Sequence, residues 1–230
     1  DNKKVAEINN KKAPIQEPLM QDFFDNKALR LVAFESLDNQ LNTFDLIIIS
    51  LPTNYNEEVD CFDTSILESV LSKFNQVNFM GIVVIKSTIP IGFTSKMKKM
   101  YPNLSIAFVP EFLREGKAMI DNIQPSRIVV GCDGDGAEVV ANVFLSIAKN
   151  FPEVFYMSSM EAEAVKLFAN SYLATRISFF NELDSFAIEN NLNTKNIIWL
   201  YSQNDIKNLT NELSSDILNK YFNDDNFIQN

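Results

Sequence analysis

The sequence predicts an α/β protein, a doubly wound parallel sheet followed by a long central helix. Three observations carry this. Short continuous apolar runs recur, each of the length expected for a strand buried on both faces. Helix-period segments alternate with them at the spacing of βαβ units. From Ser159 to Asn190 there is then no glycine or proline, and the apolar residues keep a helical period.

Taken in order, residues 3–10 and 17–25 read as helices joined by a turn at Ala13-Pro14. Asp45–Leu51 is the first buried-strand run and stops at Pro52. Ile82–Ile85, Ser105–Val109 and Arg127–Val130 repeat it, and Val154–Tyr156 is a weaker fifth. Helical patterns at 64–75, 92–100 and 135–149 separate the runs. On the long helix the apolar positions include Val165, Phe168, Tyr172, Leu173, Phe179, Phe180, Leu183 and Phe186. A helix of this length bridges domains or subunits. Asn193-Thr194 then caps a short helix through Leu200, and the chain after Tyr201 is polar and rich in Asn and Asp.

The 230 residues suffice for one large domain or a domain with a sizeable appendage. A net charge of −10 argues against nucleic acid and anionic membranes as partners, since both need basic patches. Histidine is absent, which removes His triads, His metal sites and His acid–base chemistry. No apolar run approaches the length of a membrane span, and the amino end has no signal-peptide pattern. Cys61 and Cys132 are isolated, lack metal-ligand spacing and suit a reducing cytoplasm. The chain begins at Asp1 rather than methionine, which suggests a fragment or a processed chain.

Polar groups cluster where the apolar runs end. Ser87-Thr88 follows one strand and precedes Pro90 and a helix. A hydroxyl there can cap the helix or donate to a bound phosphate or nicotinamide. Pro52-Thr53 repeats the arrangement, and open α/β sheets bind ligands at the carboxyl ends of their strands. After Val109-Pro110, Glu111 and Glu115 flank Arg114 four residues apart. In a helix they share a face and can take different protonation roles; the other reading is a solvated turn with a local ion pair. Lys166 and Asn170 are also four apart, on the long helix. They suit an oxyanion site, or an exposed edge with a snorkelling lysine. Gly131-Cys132-Asp133-Gly134-Asp135-Gly136 reads as a turn, because its glycines run in the reverse order to G-x-G-x-x-G and its aspartates would repel phosphate.

Together these segments resemble the UDP-glucose/GDP-mannose dehydrogenase family. The resemblance runs from about Lys4 to Leu200. It rests on Lys4-Val5 with Ile8-Asn9 and Pro14-Ile15, on Pro52–Tyr55, on Lys86–Thr94 and on Pro110–Lys117. It continues through Asp121-Asn122, Pro125–Ile128, Glu161–Asn170 and Asn181–Asp184. Arg114-Glu115-Gly116 and Pro125-Ser126-Arg127 look more like the UDP-glucose branch.

The resemblance implies oxidation of the C6 alcohol of UDP-glucose to a carboxylate with two NAD+, through an aldehyde, a cysteine thiohemiacetal and a thioester. It implies that Lys4, Thr53, Thr88 and Glu115 contact NAD. Glu111, Phe112, Leu113, Arg114 and Glu115 would line the substrate site with Lys166 and Asn170. Glu111, helped by Thr88, would manage the hydrolytic water, and Lys166 and Asn170 would stabilise oxyanions. The helix 159–190 would form a homodimer. The resemblance divides the chain into a partial NAD-binding Rossmann-like domain (1–157), part of a central dimerisation region (158–200) and a divergent polar tail (201–230).

The sequence also departs from the family pattern. The first βαβ unit, with G-x-G-x-x-G and the ribose-binding acid, would precede Lys4, so the Rossmann-like sheet is expected to be incomplete. The family's Gly-Gly-x-Cys does not occur after the long helix. As a stand-alone chain it is therefore expected to be inactive, for want of a placed thiolate, and poorly soluble, because strand edges would be unpaired. The alternatives are a degenerate, non-catalytic protein that dimerises or binds a nucleotide sugar, and a dehydrogenase of another nucleotide sugar.

Overall fold

The structure is a computed structural model. It describes residues 1–17, 19–26, 30–36, 40–58, 61–114, 116–134 and 136–197. Two compact units divide the chain, Asp1–Ala169 and Asn170–Asn230.

The first unit opens with helices α1 (Asn2–Asn9) and α2 (Met20–Asn26), and strand β1 (Leu46–Ile49) follows. A two-residue hairpin, β2 (Tyr55–Asn56) and β3 (Cys61–Phe62), leads into α3 (Ser65–Gln76). Then come β4 (Ile82–Ile85), α4 (Phe93–Met100), β5 (Ser105–Phe108), α5 (Ala118–Ile123), β6 (Arg127–Gly131), α6 (Ala137–Ile147) and β7 (Glu153–Met157). Helix α7 (Ser159–Glu189) begins in this unit and ends in the second. All five expected strands are present. The weakest of them, β7, pairs along its whole length with β6.

The main sheet has the order β1-β4-β5-β6-β7. Pairs β1/β4, β4/β5 and β6/β7 are parallel, as expected. The departure is at β5/β6, which meet antiparallel through Phe108 and Gly131. Its cause lies in the connection. Helix α5 has six residues, about 9 Å of rise, too little to carry the chain back along the sheet. Residues 109–114 stay non-helical beyond the end of β5, and β6 runs back beside them.

Side chains alternate across the sheet, as strand geometry requires. Val83, Ile85, Ile106 and Phe108 face a cluster with Leu67, Leu71 and Phe74 of α3, Phe93 and Met97 of α4, and Ala162 of α7. Val84, Ala107, Ile128 and Val130 face the other way, toward Val140 and Ala141 of α6. Helices thus cover both faces, which is the doubly wound arrangement. Strand β1 has a neighbour on one side only among the described residues, and its Ile48 is 42% exposed.

Helix α7 starts hard against this sheet. A Cβ on Gly131 would lie 2.6 Å from Ala162 Cβ and 3.0 Å from Ser159 Cα, so only glycine admits the helix so close. Ser159 donates through its backbone N–H and its hydroxyl to Asp133, which closes the first turn from the β6–α6 loop. Asp133 of the glycine-rich stretch thus serves as a cap for α7. Ser158 donates to Glu161 through N–H and Oγ, at 2.8 and 2.7 Å. In the second unit α7 continues to Glu189, and residues 194–197 are helical behind Asn193, whose Oδ1 accepts from Asn196 N. The rest of the expected short helix, to Leu200, and the polar tail lie outside the described residues.

Candidate active site

The carboxyl ends of β1 and β4 are tied together by two side chains. Ser87 Oγ accepts from Leu51 N at 2.8 Å, and Thr53 Oγ1 donates to the Thr88 carbonyl at 2.5 Å. Both ties follow from each buried strand ending in a hydroxyl-bearing loop, so adjacent parallel strands bring their loops side by side. Between them opens a cavity of about 470 Å³, whose walls include Pro52, Thr53, Lys86, Thr88 and Glu111. Thr53, Thr88 and Glu111, picked out separately in the sequence, thus share one crevice.

Lys166 reaches this region from α7 and donates to the Glu111 carbonyl at 2.5 Å. Burial pushes the Lys166 ammonium below the ordinary lysine range, and the Glu111 carboxylate opposes that shift. The lysine is therefore not a freely snorkelling one. Phe112 carries the Arg127 guanidinium 4.2 Å above its ring centre, and Lys166 Nζ lies 5.8 Å from the same ring.

Other expected residues are placed differently. Residues 111–114 are not helical, so the shared helical face for Glu111 and Glu115 does not form in this stretch. Pro110 disfavours a helical conformation at Val109, so no helix starts directly from the end of β5. Glu115 itself lies outside the described residues. Arg114 does make the local ion pair that was the alternative reading, but with Asp121, at 2.6 Å from Nη2 and 3.1 Å from Nε. Leu113 is half-buried in the same loop. Lys4 is exposed on α1 and is not part of the cavity wall. Asn170 is exposed in the second unit. Both cysteines are free, and neither lines the cavity.

The residue missed in the sequence is Lys86. It lines the cavity, its ammonium lies 5.0 Å from the Phe144 ring centre, and burial depresses its pKa. Glu111 opposes that shift and Lys166 adds to it, so the three charges share one field. A signal existed: a lysine immediately after a four-residue apolar strand sits at the carboxyl edge of a buried sheet.

Two family models match the chain. The NAD-binding domain of the UDP-glucose/GDP-mannose dehydrogenase family matches residues 1–148, and its central domain matches residues 160–217. The chain belongs to this family. UDP-glucose 6-dehydrogenase of Campylobacter jejuni is 40% identical over 228 residues, covering 99% of this chain and 55% of that relative. The Streptococcus pneumoniae UDP-glucose 6-dehydrogenase is 38% identical over 85% of this chain and 51% of its own length. The chain thus spans about half the length of the curated relatives it matches. Among solved structures, a UDP-glucose dehydrogenase from Pyrobaculum islandicum superposes with a TM-score of 0.74 at 26% identity, over 86% of this chain and 48% of that one. A GDP-mannose dehydrogenase from Pseudomonas aeruginosa has a TM-score of 0.77 at 19% identity, over 88% and 50%, and so shares the fold. The UDP-glucose/GDP-mannose dehydrogenase fold accounts for the mostly parallel Rossmann-like sheet and for the long helix after it.

Proposed function

We propose that this chain forms the cofactor- and sugar-facing part of an NAD-dependent dehydrogenase that oxidises the C6 alcohol of UDP-glucose to a carboxylate. The observation that carries it is the convergence of Thr53, Thr88, Lys86 and Glu111 on one cavity, with Lys166 delivered to Glu111 by α7. The names of the Campylobacter and Streptococcus relatives supply the substrate.

The donor set suits NAD. Neutral hydroxyls at the ends of buried parallel strands can bond an amide or a ribose in the crevice where such sheets take dinucleotides. Thr53 and Thr88, with Lys4 and Glu115, would hold the cofactor. Two NAD+ bound in turn would accept the two hydrides, the first lost at the alcohol level and the second at the aldehyde level of the same carbon. Glu111, Phe112, Leu113, Arg114 and Glu115 would line the sugar side. Glu111, with Thr88, would orient a water and take its proton. Lys166, and with it Asn170 one turn further along α7, would stabilise negative charge on the reacting oxygen. Half-burial makes that ammonium more effective than it would be in water.

The part facing the cofactor is assigned to residues 1–157 and the start of the central region to residues 158–200. The free cysteines suit a reducing cytoplasm. A homodimer through α7 is supported by Phe168, Tyr172, Leu173, Ile177 and Phe186, all half or more exposed along one helix.

Calorimetric titration of the chain with NAD+ and with UDP-glucose tests the proposal. Both are expected to bind saturably. Thr53→Val is expected to weaken NAD+, and Lys166→Met to weaken UDP-glucose, by roughly tenfold each, or ~1.4 kcal/mol. Binding of neither ligand would sink the proposal. Tighter binding of GDP-mannose than of UDP-glucose would move it to the other branch of the family.

A further inference from the structure

Glu163 is a buried carboxylate that the proposed chemistry does not use. It sits on α7 at 1% exposure. Its oxygens accept from the backbone N–H groups of Gly92 at 2.5 Å and Thr94 at 2.8 Å. Those donors open α4, where a helix leaves N–H groups unpaired and favours negative charge. Gly92 has φ +89°, a left-handed conformation suited to glycine, and it provides no side-chain cap of its own.

A carboxylate from another helix is buried there instead, at a desolvation cost that the hydrogen bonds must offset. What the long-range cap adds is a link. Thr88 lies four residues before Gly92, in the loop that leads into α4. Lys166 lies three residues after Glu163, on the same side of α7. One carboxylate therefore joins the loop on one side of the cavity to the helical turn that supplies the lysine.

We propose that Glu163 is a positioning residue: by closing the N-terminus of α4 from within α7, it sets where the Lys166 ammonium stands relative to Thr88. The functional meaning rests on the proposed roles of Lys166 and Thr88, but the tie itself does not. The charged groups facing Lys166 are Glu111 from the loop after β5 and Lys86 from the end of β4, with Phe112 and its stacked Arg127 alongside.

The test labels the lysines of the intact chain with acetic anhydride across a pH series and reads each site by peptide mass spectrometry. Neither NAD nor a sugar is needed. In the parent chain Lys166 is expected to titrate below the ordinary lysine value, because it is partly buried. Glu163→Gln keeps the shape but turns one acceptor into an amide donor facing a backbone N–H. The Lys166 midpoint is then expected to rise toward the ordinary lysine value. Removing a negative charge without any movement would lower the midpoint, so the sign separates position from direct electrostatics. Glu163→Asp, with the carboxylate one methylene short, gives a smaller rise and serves if Glu163→Gln does not fold. A Lys166 midpoint that is unchanged or lowered in a folded variant overturns the proposal. Loss of folding in both variants also overturns it, since Glu163 would then be a structural residue alone. Failure of the parent chain to bind NAD+ or UDP-glucose would remove the proposed function and leave this outcome standing.

Discussion

Lys86 sits at the end of a buried strand, against the Phe144 ring, with no carboxylate in ion-pair contact among the described residues. Burial lowers its pKa more than Glu111 restores it. Between that lowered value and the unfolded value of ~10.4, the folded chain binds fewer protons than the unfolded chain. The destabilisation is therefore complete below this window and fades as pH rises through it. Lys86→Met is expected to stabilise the fold near neutrality by about 1 kcal/mol. It should also flatten the gain in stability on going to about pH 10. Urea unfolding at the two pH values checks both statements. A residue that costs stability at the mouth of a cavity fits a site selected for ligands rather than for folding.

At the scale of elements, close packing is the sharpest constraint. Gly131→Ala places a methyl group against Ala162, Ser159 and the Phe108 carbonyl. It is expected to cost about 1–3 kcal/mol, with the lost stability read from the urea midpoint. The strands were legible because each is a continuous apolar run, and α7 because no glycine or proline interrupts residues 159–190. Strand direction was not legible. Alternation records which face a side chain takes, not which way the strand runs, so the β5/β6 reversal left no trace in the pattern. Hairpin β2–β3 has two residues per strand, too few to show any period. In the site, Thr53, Thr88, Glu111 and Lys166 were legible as polar groups in apolar settings. The partners of Arg114 and Glu163 were not, because they depend on tertiary approach rather than spacing.

At the scale of the molecule, the open side of β1 is the exposed liability. Among the described residues its outer backbone groups have no strand partner and are flanked by Ile48, the pattern that invites edge-to-edge pairing. Ile48→Lys is expected to lower self-association of the chain without loss of fold. Dynamic light scattering across a concentration series, with circular dichroism as the control, reads this. An unchanged particle size would place the association elsewhere, with α7 the next surface to alter.

The reversal at β5/β6 reaches beyond topology. Antiparallel pairing at Phe108 and Gly131, carried four residues onward, puts Arg127 opposite Phe112, and these two do stack. Strand β6 therefore overhangs the carboxyl edge of β5 by roughly 13 Å at 3.3 Å per residue. Beside that edge β6 is held in a hydrogen-bonded ladder with β7, whereas the cavity walls themselves are strand ends and loops. Loops absorb insertions and drift in length; a paired strand does not, since a one-residue slip turns every side chain to the opposite face. Lengthening or shortening the chain should thus be tolerated around Glu57-Glu58, between β2 and β3, and rejected between Arg127 and Gly131.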